Sequence, residues 1–323
     1  MKIFITGSSG FIGFHLAKKL LNKGIKVHGF DSMNSYYDVK LKKARLNILN
    51  KYKNFSFTKE SLQNEKKLSK CIIKFKPQII VHLAAQAGVR HSIKNPDIYL
   101  NANIIGTFNI LKIANKIKLK HLIIGSSSSV YGANKKFPFQ ENDKTDHQVS
   151  FYAATKKSTE ILAHSYSSLW KLPITMLRFF TVYGPFGRPD MSVLRFIHWV
   201  VEGKQLKLFG NGEQSRSFTY IDDVTELLSM CTDLNSNCTL NVGNNKTSTL
   251  NEIIKLIEEF TNKEALINYQ ERAYKDPDVV LPSLKNTKNI TGWSPKTDIS
   301  KGIENTVKWY FDNRDLLKEL KYI

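Results

Sequence analysis

Cysteine is scarce in this chain. Cys71, Cys231 and Cys238 make an odd number, with no C-x-x-C spacing and no nearby histidine pattern that would complete a zinc site. A disulfide framework and a structural zinc are therefore set aside, and free thiols in a reducing compartment are expected. Long apolar runs are missing as well. No stretch approaches the roughly 20 residues that cross a bilayer, and the chain enters an apolar strand at once, without the basic region and long apolar core of a signal peptide. No membrane partner and a cytoplasmic location are expected. Acidic residues are outnumbered, 28 against 48 basic ones, for a formal charge of +20. Yet dense basic tracts interleaved with aromatics are absent, and the lysines spread along the chain in doublets such as Lys18-Lys19, Lys42-Lys43 and Lys66-Lys67. Net charge alone speaks to nonspecific association. No nucleic-acid partner is expected, and the surplus suits an anionic small substrate equally well.

What the chain does have is a core. Its 323 residues are 41% hydrophobic and 11% aromatic, with no linker or low-complexity tract, which predicts one large α/β unit with an appended lobe. Lys2 to Thr6 is a short β-rich run. It ends in Gly7-Ser8-Ser9-Gly10-Phe11-Ile12-Gly13, after which apolar residues recur at helical spacing through Phe14, Leu16, Ala17, Leu20 and Leu21. Strand, glycine turn and helix together place backbone N–H groups and a helix N-terminus against a pyrophosphate. Asp31 closes the second strand, Lys26 to Phe30, where a carboxylate can accept from ribose hydroxyls and repel a 2′-phosphate, favouring NAD over NADP. Further alternation follows: a strand near 55–58, a helix from about Glu65, the apolar strand Gln78 to His82, a helix over about 97–117 and the strand His121 to Gly125. This pattern predicts a doubly wound parallel sheet with ligands beyond the carboxyl ends of its strands. Leu83, Ala84 and Ala85 are small or apolar residues at that edge, suited to close cofactor approach, and the serine run Ser126 to Ser129 lies at the same edge.

The chemistry centres on Tyr152-Ala153-Ala154-Thr155-Lys156, the first turns of a helix beginning near Ser150. Residues four apart share a helix face, so the phenol and the ammonium can enter one cleft. A fixed cation is expected to lower the tyrosine pKa from about 10 and make it a usable proton acceptor. His15, His91, His147, His164 and His198 form no metal constellation and are read as structural or surface residues.

With these motifs in order, the sequence resembles the extended short-chain dehydrogenase/reductases, in their nucleotide-sugar epimerase/dehydratase branch, and most closely the UDP-glucuronate 4-epimerases. The resemblance runs through Thr6-Gly7-x-x-Gly10-Phe11-Ile12-Gly13, Asp31-x-x-Asn34-x-Tyr36-Tyr37-Asp38, His82 to Arg90, Ser126 to Gly132, Tyr152 to Lys156, Arg178 to Pro185 and Arg216 to Asp223. It implies a Rossmann-like domain over 1–180 and about 216–245, with a smaller C-terminal α/β substrate lobe from 181–215 and 246–323. It implies that Tyr152 takes the proton of the sugar 4-hydroxyl while hydride passes to NAD, that Lys156 holds the nicotinamide ribose, and that Ser127 bonds the 4-oxygen. Further cofactor contacts are implied for Asn34, Ser61, Leu62, Asn103 and Phe180. Substrate contacts are implied for Arg90, Ser128, Ser129, Thr181, Arg188 and Arg216, with Arg272 or Lys275 as a second diphosphate cation.

Related 4,6-dehydratases carry an Asp-Glu pair where Ser128-Ser129 stand, and decarboxylating relatives carry a glutamate in this segment; both eliminations are disfavoured here. Ser61 replaces an aspartate that contacts adenine in the family, which puts cofactor affinity in question more than cofactor identity. The expected partners are a UDP-sugar and, through the helices near 97–117 and 151–170, a second copy of the chain. The expected reaction is 4-epimerisation of UDP-glucuronate for a surface polysaccharide. The alternatives are a 4-epimerase of UDP-glucose or a UDP-N-acetylhexosamine, and a noncatalytic NAD-binding regulator that keeps the fold.

Overall fold

The computed structural model describes residues 1–234, 236–271 and 278–322. The N-terminal part alternates strand and helix: β1 (Lys2–Thr6), α1 (Phe11–Asn22), β2 (Lys26–Asp31), α2 (Val39–Leu49), β3 (Phe55–Lys59), α3 (Glu65–Phe75) and β4 (Ile79–His82). Two short helices, α4 (Val89–Lys94) and α5 (Pro96–Tyr99), lead through a π-helical turn, Leu100–Ile105, into α6 (Gly106–Lys116). Then come β5 (His121–Ser127), α7 (Phe151–Trp170) and β6 (Ile174–Phe179).

All strands of the main sheet run parallel, in the order β3-β2-β1-β4-β5-β6 with one further strand beyond β6. The order reverses between β1 and β4, so a crevice opens there at the carboxyl edge. Side-chain alternation explains the two covered faces. Ile3 and Ile5 of β1 point to one layer with Phe14, Leu16 and Leu20 of α1, while Phe4 between them joins Leu68, Ile72, Ile110 and Leu111 of α3 and α6 on the other. Each such buried side chain stabilises the fold by about 1.5–3 kcal/mol.

The rest of the chain comprises β7 (Thr181–Tyr183), α8 (Ser192–Val201), β8 (Leu206–Phe209), β9 (Ser215–Arg216), β10 (Phe218–Tyr220), α9 (Ile221–Leu234), β11 (Cys238–Val242), β12 (Ser248–Thr249), α10 (Leu250–Thr261), β13 (Ile267–Gln270), β14 (Val279–Val280), α11 (Lys285–Thr291), α12 (Ile299–Asp312) and α13 (Arg314–Leu317). Strand β11 completes the sheet beside β6. Helices α8, α10 and α12 enclose a second core of Phe196, Ile197, Ile253, Ile257, Ile303 and Val307. α10 starts at a capping box, in which Thr249 accepts from the Glu252 backbone and Glu252 reaches back.

Three details differ from the expected elements. The helix predicted over 97–117 is helical throughout but widens into the π turn. The last long helix begins at Ile299, capped by Asp298, a turn earlier than the final helix over about 303–312 that the sequence suggests. Helix α2 carries little amphipathic signal because Lys42 and Arg45 occupy its buried face with Leu41 and Leu49.

Candidate active site

A cleft of about 1630 Å³ follows the carboxyl edge of the sheet and is roofed by β8, β9 and the loop before α8. At its inner end lies the glycine turn. Gly7 has φ +74°, and a Cβ there would stand 2.8 Å from the Ala84 amide nitrogen; at Gly13 it would stand 2.1 Å from the Gly7 carbonyl oxygen. Only glycine allows this packing. Gly10 caps α1 without a side-chain hydrogen bond, so the first backbone donors of the helix lie uncapped where Gly10, Phe11, Ile12 and Gly13 line the cleft. Asp31 holds the turn from β2, accepting from Ser9 N at 3.0 Å and Met33 N at 2.8 Å. Its oxygens keep further lone pairs for hydroxyl donors.

Asn34, Ser61, Leu62, Leu83, Ala84, Ala85 and Phe180 also line the cleft. These small residues, a free helix N-terminus and a strand-end carboxylate fit a dinucleotide. Asn103 does not line it. Buried in the π turn, it accepts from Gln86 N at 2.7 Å and donates to Gln86 O at 3.0 Å and Thr155 Oγ1 at 2.9 Å. It braces the wall from behind.

Helix α7 delivers the tyrosine and lysine. Ser150 caps it, accepting from Ala153 N, and both Tyr152 and Lys156 line the cleft with Ser127, Ser128 and Ser129. The expectation that Lys156 lowers the Tyr152 pKa needs correction. The Lys156 ammonium donates to the Gly125 carbonyl at 2.6 Å. Burial pushes the phenol up, opposed by a hydrogen bond with Ser127 and by the positive charge of Arg188. Lys156 itself is pulled down to about 8 by burial, with the Glu160 carboxylate acting the other way.

Behind the serine run stands a buried ion pair. Arg178 grips both Glu160 oxygens, at 3.0 and 2.9 Å, and Ser126 donates to Glu160 at 2.7 Å. Ser127 Oγ lies 3.2 Å from both the Ser129 hydroxyl and the Ser129 amide.

On the opposite wall, Arg188 makes a two-point contact with Asp190, and Tyr36 donates to the same carboxylate at 3.2 Å. The Asp190 charge holds the guanidinium above its usual range, against the opposing effect of burial. Arg90 crosses the cleft to lie 4.0 Å from the Phe209 ring centre. Arg216 lines the outer end beside Thr181 and bonds the carbonyls of Ser215 and Asp278. Arg272 and Lys275 lie outside the described residues.

Several lining groups had no role assigned from sequence. Lys42 donates to Asn34 O at 2.8 Å and Asn34 Oδ1 at 2.7 Å, while Gln86, Tyr36 and Asp190 join the walls. Behind them, outside the lining, Leu41, Arg45 and Leu49 fall at i, i+4 and i+8, which sets a charged residue between two leucines on the buried face of α2. Among the described residues no group of three or more His, Cys, Asp or Glu side chains could hold a metal, and no helix is long and apolar enough to cross a membrane.

A family model described as GDP-mannose 4,6 dehydratase matches residues 4–306. Protein CapI of Staphylococcus aureus is 43% identical over 331 residues, spanning 97% of this chain and 99% of that protein. A probable UDP-glucuronate 4-epimerase of Rhizobium meliloti is 39% identical over 333 residues, spanning 97% and 98%. Among solved structures, the UDP-glucuronic acid 4-epimerase of Bacillus cereus in complex with UDP-glucuronic acid and NAD matches with a TM-score of 0.91 at 34% identity, over 97% of this chain and 99% of that one.

Proposed function

The chain belongs to the GDP-mannose 4,6 dehydratase family, and on that premise we propose that it is an NAD-dependent isomerase that interconverts UDP-glucuronate and UDP-galacturonate at C4. The observation that carries this reading is the meeting, in one cleft, of the uncapped glycine turn with Tyr152, Lys156 and a wall of three serine hydroxyls. NAD, when bound, supplies hydride acceptance and return at the sugar C4.

The chain's own residues do the remainder. Gly7, Gly10 and Gly13 let the backbone approach the pyrophosphate, and Asp31 accepts from ribose. Tyr152 takes the proton of the 4-hydroxyl as the C4–H bond breaks and returns it when the bond re-forms on the other face of the ring. Ser127 bonds the oxygen at which charge develops, and Lys156, anchored on the Gly125 carbonyl, would hold the cofactor ribose. Neutral donors at Ser128, Ser129 and Thr181 hold the C5 carboxylate without protonating a leaving group. No acid stands at Ser128 or Ser129 to eliminate water, so epimerisation ends the reaction. Arg188, already paired to Asp190, bears on the uronate, and Arg216 on the diphosphate.

The working parts are a dinucleotide domain of residues 1–180 and 216–245 and a sugar lobe from the remainder, acting in a homodimer. Its product is an activated glycosyl donor, the form of sugar consumed in building surface polysaccharide. Turnover of Tyr152→Phe and Lys156→Ala tests the chemistry; wild-type-like rates in either would overturn it. Arg188→Ala tests the sugar, with UDP-glucuronate losing turnover while UDP-glucose is spared. An equal loss on both would assign Arg188 to the diphosphate.

A further inference from the structure

Arg45 of α2 is fully buried, and among the described residues no carboxylate pairs with it. A buried charge without a counter-ion is costly, and its hydrogen bonds offset that cost only in part. Those bonds have a direction. One terminal nitrogen donates to the Ser9 carbonyl at 2.9 Å, inside the glycine turn, and to the Tyr37 hydroxyl at 2.6 Å. The other donates to the carbonyls of Phe186 at 2.6 Å and Gly187 at 3.2 Å, the two residues before Arg188. His15, on the helix that the glycine turn opens, reaches the preceding carbonyl, Pro185, at 2.8 Å through Nε2. Three successive carbonyls of the Arg188 loop are thus held by side chains of α1 and α2. Phe186 keeps φ +56° at this point, with its ring 5.0 Å from Phe14 and 4.8 Å from Trp309. A non-glycine residue holds that backbone only where its surroundings fix it.

We propose that Arg45, with His15, is a positioning residue that clamps the Arg188 loop to the dinucleotide turn, so that seating the dinucleotide orders the sugar-binding loop. This rests on the NAD reading given above. The planar fork is required because one group must serve two sides at once, which a lysine ammonium cannot do in the same geometry. Coupling between two binding sites is reciprocal, so a seated sugar likewise tightens the turn.

Hydrogen exchange of the purified protein, with NAD bound and after its removal, tests this without any turnover. In the wild type, amides of residues 7–13 and of 184–191 should both slow with NAD, by about five-fold or more. In Arg45→Met and Arg45→Lys the turn should still be protected while 184–191 loses its response. His15→Phe, which keeps a ring and removes only the Pro185 bond, should show a partial loss and serves if the Arg45 variants do not fold. Equal protection of 184–191 in wild type and variants would overturn the clamp. So would a wild-type loop indifferent to NAD while the turn responds. If NAD protects neither segment in the wild type, the dinucleotide reading fails first, and the clamp falls with it for want of one partner.

Discussion

Tyr152 sits in a contradiction that the reaction must resolve. Burial disfavours its phenolate, whereas proton abstraction requires it; Ser127 and the Arg188 charge act in the helpful direction. Replacing Tyr152 with Phe removes the proton acceptor and leaves the cleft shape, so kcat should fall roughly 100- to 10,000-fold with bound NAD retained. Absorbance of the released cofactor checks the second half. Gly13→Ala acts elsewhere: its Cβ would meet a backbone oxygen that cannot move cheaply, so NAD retention should drop by about ten-fold or more while Tyr152 is untouched. Titration with NAD, followed by protein fluorescence, measures it. The identities of these residues were legible in the chain, because Y-x-x-x-K on a capped helix and glycines after a first strand each have a local cause. Their partners were not. Gly125 takes the Lys156 ammonium and Asp190 takes the Tyr36 hydroxyl, and both pairings depend on where distant segments meet.

At the scale of elements, α6 and α7 lie side by side and carry Phe108, Ile161, Leu169 and Trp170 exposed, with Leu100 and Ile105 at the π turn. Large apolar residues gathered on adjacent helices mark an interface. A homodimer through this face is expected in light scattering, and Ile161→Arg should shift it toward monomer at micromolar concentration; an unchanged mass would place the interface elsewhere. The π turn also shows the limit of periodicity. Composition over 97–117 predicts helix, and helix is found, but the widened turn that seats Asn103 against Gln86 and Thr155 leaves no mark in hydrophobic spacing. The parallel sheet was readable because apolar strands and helices alternate, whereas α2 was not, since its buried face holds Lys42 and Arg45.

For the whole molecule, burial keeps five of the described histidines neutral, His15 and His28 beside three enclosed in the core. His82 lies between the hydroxyls of Thr6 and Thr107, His121 bonds Thr175, and His198 bonds Tyr310. Burial pushes them down to about 3, 4 and 4. The unfolded chain binds these protons first, near pH 6.5, so stability is full above that value and is lost as pH falls toward 4. Each ring contributes about 1.4 kcal/mol per pH unit in that window. The Tm should therefore fall between pH 7 and pH 5, and a flat profile would contradict the neutral assignments. The surplus of positive charge has a local counterpart in the cleft, whose lining sets Lys42, Arg90, Lys156, Arg188, Arg195 and Arg216 against Asp31, Glu60 and Asp190.

Proton NMR of the purified protein with UDP-glucuronate, and no added NAD, tests the reaction most directly. UDP-galacturonate should appear without loss of carbon dioxide, driven by cofactor that the protein already holds. Rescue only on adding NAD would locate the weakness at the adenine end, beside Ser61. No product with NAD present would contradict the proposed function, and turnover of UDP-glucose in its place would assign the serine wall to a neutral sugar.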